Sequence, residues 1–213
     1  AAFNFYTFFA AMLIVGSILL YFRKGFKVFL LLMILNISVG IITPFLWGKL
    51  HSYQQHRILT FLGLELDPQG AGYQVIQSKV AIGSGGFWGK GFLEGTQTQL
   101  RFLPAQHTDF VFSVIGEEFG FIGVLFILFL FLILLRRGIF IASVARNKFA
   151  SLLCIGSVTI IAFHMFVTIG MTVGIMPVTG IPLPFISYGG SSLITSMVLI
   201  GFIINTSIRR YKY

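Results

Sequence analysis

The residues best suited to chemistry lie in one short polar run, Arg101-Phe102-Leu103-Pro104-Ala105-Gln106-His107-Thr108-Asp109-Phe110, which ends where a long apolar run begins. Asp109 stands at that boundary and is one of six acidic residues in a chain of 213. A carboxylate is costly to desolvate, so one placed at a membrane edge needs a partner or a task. Two readings are open. Asp109 caps the helix that follows it, or it does catalytic work on a substrate held at the outer membrane face. His107 is likewise either an interfacial hydrogen-bonding side chain or a ring that orients Asp109 or a substrate hydroxyl.

Positive charge is available to complement such a carboxylate. Arg57, Lys79, Lys90 and Arg101 surround glycine-rich backbone, and cations with exposed N–H groups suit a pyrophosphate. The glycines fit neither a P-loop nor a dinucleotide fingerprint, and each cation taken singly reads as a lipid-headgroup contact. Glu117 and Glu118 form a second acidic point. They are either carboxylates favoured by a helix N-terminus or intramembrane functional groups. A spacing of eight puts Glu117 on the Asp109 face, about 12 Å along a helix axis. Ser187 and Tyr188 close a Pro-rich loop that runs into a Gly/Ser helix start. That stretch is either a cap and close-packing device or a lip over a substrate. His164, deep in an apolar run, reads as an interhelical hydrogen-bonding group. No protein-only metal site is expected, because His107 and Asp109 have no further His or Cys near in sequence. A divalent cation such as Mg²⁺, held by Asp109 and substrate phosphates, stays open.

These residues need a scaffold, and composition says which kind. Hydrophobic residues make up 56% of the chain, charged residues 10%, and Phe occurs 25 times. That excludes an ordinary soluble domain. Apolar runs of about 20 residues, long enough to span a bilayer as helix, recur at 3–22, 28–47, 110–135, 149–176 and 189–208. The expected fold is an all-α polytopic membrane protein, one membrane domain over 1–213 with about five spans. Cys154 lies inside an apolar run as a small buried hydrophobe. Ala1 opens into apolar sequence without a basic leader, so the chain is expected to be a piece of a longer protein.

Charge asymmetry orients the spans. Arg23, Lys24, Lys27, Arg136, Arg137, Arg146, Lys148, Arg209, Arg210 and Lys212 fall on one face with no acid among them. The positive-inside bias makes that face cytoplasmic, with the C-terminus. Here the formal charge of +9 reports membrane orientation, not nucleic-acid binding. The 48–109 region and the loop 177–188 then face outward. A region that long is no idle connection. His51 to Leu62 and Gly72 to Ile82 read as short interfacial helices. Leu66-Asp67-Pro68-Gln69-Gly70 is a turn, and Gly83-Ser84-Gly85-Gly86 ends the second helix. Phe87-Trp88-Gly89-Lys90-Gly91 is a further aromatic, glycine-rich segment.

Four motifs occur in order: Gly70-Ala71-Gly72-Tyr73-Gln74-Val75-Ile76-Gln77-Ser78; Ile82-Gly83-Ser84-Gly85-Gly86 with Gly89-Lys90-Gly91; Leu103-Pro104-Ala105-Gln106-His107-Thr108-Asp109-Phe110; and Pro182-Leu183-Pro184-Phe185-Ile186-Ser187-Tyr188-Gly189-Gly190-Ser191. Together they resemble the SEDS family (shape, elongation, division and sporulation), the elongation branch more than the septal one. The resemblance covers nearly the whole chain, as the C-terminal half of a ten-span protein. It implies a peptidoglycan glycosyltransferase of the bacterial inner membrane that polymerises lipid II into a nascent glycan strand during elongation. It implies Asp109 as the catalytic residue, Arg57 as the family's loop arginine, and a class B penicillin-binding protein as partner. Two rivals are kept: a transporter of the lipid-linked precursor, with charged or broken helices at the midplane, and a non-catalytic scaffold of the elongation complex.

Overall fold

The computed structural model describes residues 26–64, 71–99 and 107–209. The first expected span, the basic pair Arg23 and Lys24, the turn at 66–70, Arg101 and the chain end at 210–213 lie outside the described residues. Those described are helical, in turns or irregular, with no strand among them. The chain divides into two compact units, Ala1–Gln55 and His56–Tyr213.

The described part of the first unit is mainly one apolar helix, α1 (Phe26–Lys49), with Pro44 near its end. Ser38 and Thr43 donate to the carbonyls four residues back, which satisfies their hydroxyls where no water is present. Lys49 folds over the Phe45 ring at 4.6 Å. Gln55 then donates to the carbonyls of Trp47 and Leu50, taking up acceptors that the helix end leaves open.

The second unit holds three helices long and apolar enough to cross a membrane: α5 (Val111–Ser143), α6 (Lys148–Val173) and α7 (Gly190–Arg209). Ahead of them come the short helices α2 (Ser52–Phe61), α3 (Ala71–Gly85) and α4 (Thr96–Gln99). α6 packs against both α5 and α7, and α3 packs on α5 and α6. Small residues allow the close approaches. The Cys154 thiol bonds the Gly138 carbonyl at 3.5 Å, and Ser151 donates to Ala142 O at 2.7 Å. This is how membrane helices associate when lipid is as apolar as leucine. Phe126, Leu132, Phe163 and Ile194 lie along the outside and are exposed. So much apolar surface is untenable in water and natural in lipid.

Two expected boundaries move. Arg136 and Arg137 do not end α5, which continues to Ser143; long basic side chains reach the interface without stopping a helix. α6 stops at Val173 instead of 176, because Gly174 takes the left-handed cap at φ 80° and its N–H reaches the carbonyls of Gly170 and Met171. The larger departure is inside α5. Gly120 has φ 64° and ψ −162°, which breaks the helix into a leg before it and the long span after it.

Candidate active site

The break in α5 explains the glycine-rich motif. A broken helix leaves carbonyls and N–H groups without intrahelical partners. The segment after α3 supplies them. Lys90 N–H donates to Glu117 O at 3.0 Å and Gly91 N–H to Glu118 O at 3.1 Å, while Phe121 N–H donates to Gly86 O at 2.9 Å and Ile122 N–H to Phe87 O at 3.3 Å. The backbones approach so closely that side chains are excluded. A Cβ on Gly85 would stand 1.9 Å from Gly116 O, one on Gly89 2.1 Å from Glu118 O, and one on Gly120 2.3 Å from Gly89 N. The motif is therefore a backbone splint for the broken helix, and the N–H groups of Gly89, Lys90 and Gly91 are engaged within the protein.

Lys90 is reassigned with it. Its ammonium lies 2.8 Å from Glu117 Oε1, and the Glu117 side chain is fully buried. The same carboxylate oxygen accepts from Thr96 Oγ1 at 3.2 Å and from Gln97 N–H at 3.0 Å. Glu117 is thus an anchoring carboxylate at the foot of the first leg of α5. The face-sharing expected from helical spacing does not apply, since Asp109 precedes the helix. Glu118 is buried beside it, and its carbonyl accepts the splint's last bond.

Asp109 is half-buried, and its capping explanation fails. The N-cap of α5 is Phe110, at φ −109° and ψ 19°, with no side-chain cap hydrogen bond. The Asp109 carboxylate instead faces the Pro-rich loop: its Oδ2 lies 3.4 Å from where a Cβ on Gly180 would stand, at a position with φ +73° that suits glycine. Among the described residues, no donor is seen to bond this carboxylate.

The loop from 177 to 189 is pinned around Asp109 at four points. Arg57 Nη1 donates to Val178 O at 3.0 Å. Thr168 Oγ1 reaches Ile181 O at 2.8 Å. Ser187 Oγ accepts the Leu183 N–H at 2.8 Å and donates to Thr108 O at 2.6 Å. Tyr188 N–H donates to His107 O at 2.8 Å. Ser187 and His107 thus join the Asp109 segment to the loop, His107 through its backbone. The Tyr188 side chain is exposed. Phe185, held at φ 67° within this loop, carries the kind of local strain that a tightly pinned segment sustains.

Lys79 is exposed and lies along the end of α6: a Cβ on Gly174 would stand 2.5 Å from its Nζ. A cation at a helix C-terminus is favourably placed. Its neighbour Ser78 donates to Thr172 O at 2.7 Å. With its one proton engaged there, Ser78 accepts from Ser113, 2.5 Å away. Under the loop, Ala81, Phe110, Met171, Val178 and Val75 form a small core, which ties α3, the start of α5, α6 and the loop together. Sequence reasoning missed Gly180 and Thr168. A Gly ahead of Ile-Pro marks a turn but not its carboxylate neighbour, and a Thr inside a span carries no signal for a loop it will hold. Among the described residues, no three His, Cys, Asp or Glu side chains gather as a metal site.

Ser187→Ala leaves Leu183 N–H and Thr108 O without their partner. The expected result is a local loss of about 1–3 kcal/mol, read as faster amide exchange at Leu183 with the spans unchanged.

The chain matches a family described as "Cell cycle protein", covering FtsW, RodA and SpoVE, over residues 6–212. It is 48% identical over 175 residues to the peptidoglycan glycosyltransferase MrdB of Escherichia coli K12, covering 82% of this chain and 47% of that one. It is 45% identical over 161 residues to the peptidoglycan glycosyltransferase RodA of Treponema pallidum, covering 76% and 37%. Against the probable peptidoglycan glycosyltransferase FtsW of Geobacter metallireducens the identity is 45% over 168 residues, covering 78% and 44%. Among solved structures, it superposes with a TM-score of 0.63 and 35% identity on a chain studied for the structural coordination of polymerization and crosslinking by a peptidoglycan synthase complex, covering 96% of this chain and 56% of that one. The chain spans less than half the length of each of these curated relatives.

Proposed function

Because the chain belongs to the FtsW/RodA/SpoVE family of cell cycle proteins, we propose that it forms the catalytic half of a peptidoglycan glycosyltransferase in which Asp109 is the general base. The observation that carries the reading is the Asp109 carboxylate: it is half-buried, does not cap its helix, and is held against Gly180 inside a loop pinned on both sides.

The reaction joins a sugar hydroxyl to an anomeric carbon that bears a lipid pyrophosphate. The proton of the acceptor 4-hydroxyl passes to Asp109. Its oxygen forms the new bond to the anomeric carbon, and the bond from that carbon to the phosphate oxygen breaks. The electron pair leaves with undecaprenyl pyrophosphate. One displacement inverts the centre and gives a β-linked strand. A base placed at the hydroxyl lowers the barrier to its attack, and positive charge stabilises the departing pyrophosphate. Arg57, which bonds the loop carbonyl of Val178, and Lys79, on the helix that gives Val75 and Ala81 to the core under the Asp109 loop, are the described candidates; Arg101 is the third in sequence. A divalent cation such as Mg²⁺, if present, would take Asp109 as its protein ligand and would supply positive charge for the leaving pyrophosphate.

The relatives' names supply the substrate class, and the peptidoglycan synthase complex suggests a crosslinking partner, a class B penicillin-binding protein. The excess of basic residues in the other connections of the sequence supports an extracytoplasmic Asp109 loop. The test supplies lipid II to the outer face of vesicles carrying the complete protein. A polymerase forms β-linked strands there with no translocation step. A transporter moves the lipid and leaves it monomeric, which would defeat the proposal.

A further inference from the structure

The splint that bridges the break in α5 carries a row of large apolar side chains turned away from the protein. Trp88 is 83% exposed and Phe92 70%, with Phe87 and Leu93 alongside. They are not loose. The Phe87 ring lies 5.4 Å from Phe121, and the Phe92 ring 6.1 Å from Phe119. The backbone beneath them is bonded at Gly86, Phe87, Gly89, Lys90 and Gly91, so it brings few open polar groups to whatever it meets. Lys90, the one basic residue in this stretch, points to Glu117 at 2.8 Å and is neutralised there.

A rigid apolar ridge with its one ammonium withdrawn, and the exposed Glu94 carboxylate at its end, is unfavourable in water and suited to a membrane interface, where aromatic rings collect beside polar groups. The ridge also continues the exposed apolar surface of a helix long and apolar enough to cross a membrane. Phe121 and Ile122 open the long leg of α5 and are exposed, followed by Leu125, Phe126 and Phe129 along the same span. We propose that Phe87, Trp88, Phe92 and Leu93 insert into the outer-leaflet interface as a membrane anchor. The anchor fixes the depth of the α5 break, and with it the height at which the Asp109 leg stands. This inference depends on the splint and stands whether or not Asp109 is a base.

The test uses the complete protein in phospholipid vesicles, with every tryptophan except Trp88 replaced by Phe, including Trp47→Phe. Insertion predicts blue-shifted Trp88 emission, loss of most of it with lipids brominated near the glycerol end of the chain, a smaller loss with tail-brominated lipids, and little quenching by aqueous iodide. Quenching by iodide but not by brominated lipid would place the ridge in water and overturn the proposal. Emission quenched by neither would show that protein covers the ridge, and would overturn it equally. Should the tryptophan-depleted protein fold poorly, a nitroxide on Trp88→Cys in a Cys154→Ser background gives an independent measure. Collision with oxygen must then exceed collision with a water-soluble nickel chelate, and the reverse order refutes insertion.

Discussion

Asp109→Asn is expected to lower the rate of glycan polymerisation by about 10²–10⁴-fold, the contribution of a positioned general base. The substitution keeps the shape of the side chain and its place beside Gly180, but an amide cannot take a proton from the acceptor hydroxyl. Folding is expected to stay intact, because the carboxylate neither caps α5 nor is seen to bond any donor among the described residues. Binding of the lipid-linked donor is expected to change little, so kcat and kcat/KM should fall together, the mark of an interaction made in the transition state. Polymerisation within a few-fold of wild type, measured as strand length and rate from externally supplied lipid II, would rule Asp109 out as the base. A large drop in folded protein would instead show that the carboxylate stabilises the loop.

Much of this arrangement was legible before any coordinates. Runs of Phe, Leu and Ile marked the three helices long and apolar enough to cross a membrane, since water does not tolerate them, and the last expected span differs by one residue at each end from α7 (Gly190–Arg209). The short helices α2 and α3 were readable from their apolar stripes, although α3 runs on through Gly83 to Gly85 before Gly86, at φ +56°, follows it, and α4 (Thr96–Gln99) carried no signal. The meeting of the Asp109 segment with the Ser187 loop was signalled only as two polar motifs on one membrane side. The fourfold pinning through Arg57, Thr168, Ser187 and Tyr188 involves backbone carbonyls, which no residue type announces. The break at Gly120 was illegible for a stronger reason. A glycine in an apolar helix is ordinarily tolerated there, and this one departs from helix only because the segment around Gly89 supplies the displaced hydrogen bonds. The pairing of Lys90 is hidden by the same logic. Beside glycines the lysine resembles a phosphate ligand, and its carboxylate partner is 27 residues away.

That pairing gives the other large expected effect. Lys90→Met removes the cation from a fully buried carboxylate and leaves Glu117 with the Thr96 hydroxyl and the Gln97 N–H among its described partners. Stranding a buried charge in this way costs about 3–5 kcal/mol, a large share of a typical folding free energy. Glu117→Gln leaves the charge on Lys90 instead. Its side chain is 25% exposed and can recover water, so the loss should be smaller, about 1–3 kcal/mol. Replacing both residues by Met should return much of the stability, because an apolar pair of similar volume needs no compensation. The double-mutant cycle, read from unfolding midpoints of the complete protein, then shows a coupling well above the few tenths expected of independent sites. Since the clasp grips the leg of α5 that follows directly from Asp109, Lys90→Met should also lower polymerisation in the fraction that remains folded, and the double Met variant should restore part of it. Single variants that each cost under about 0.5 kcal/mol, the range of an ordinary surface position, would mean that the leg is held by the splint's backbone bonds alone.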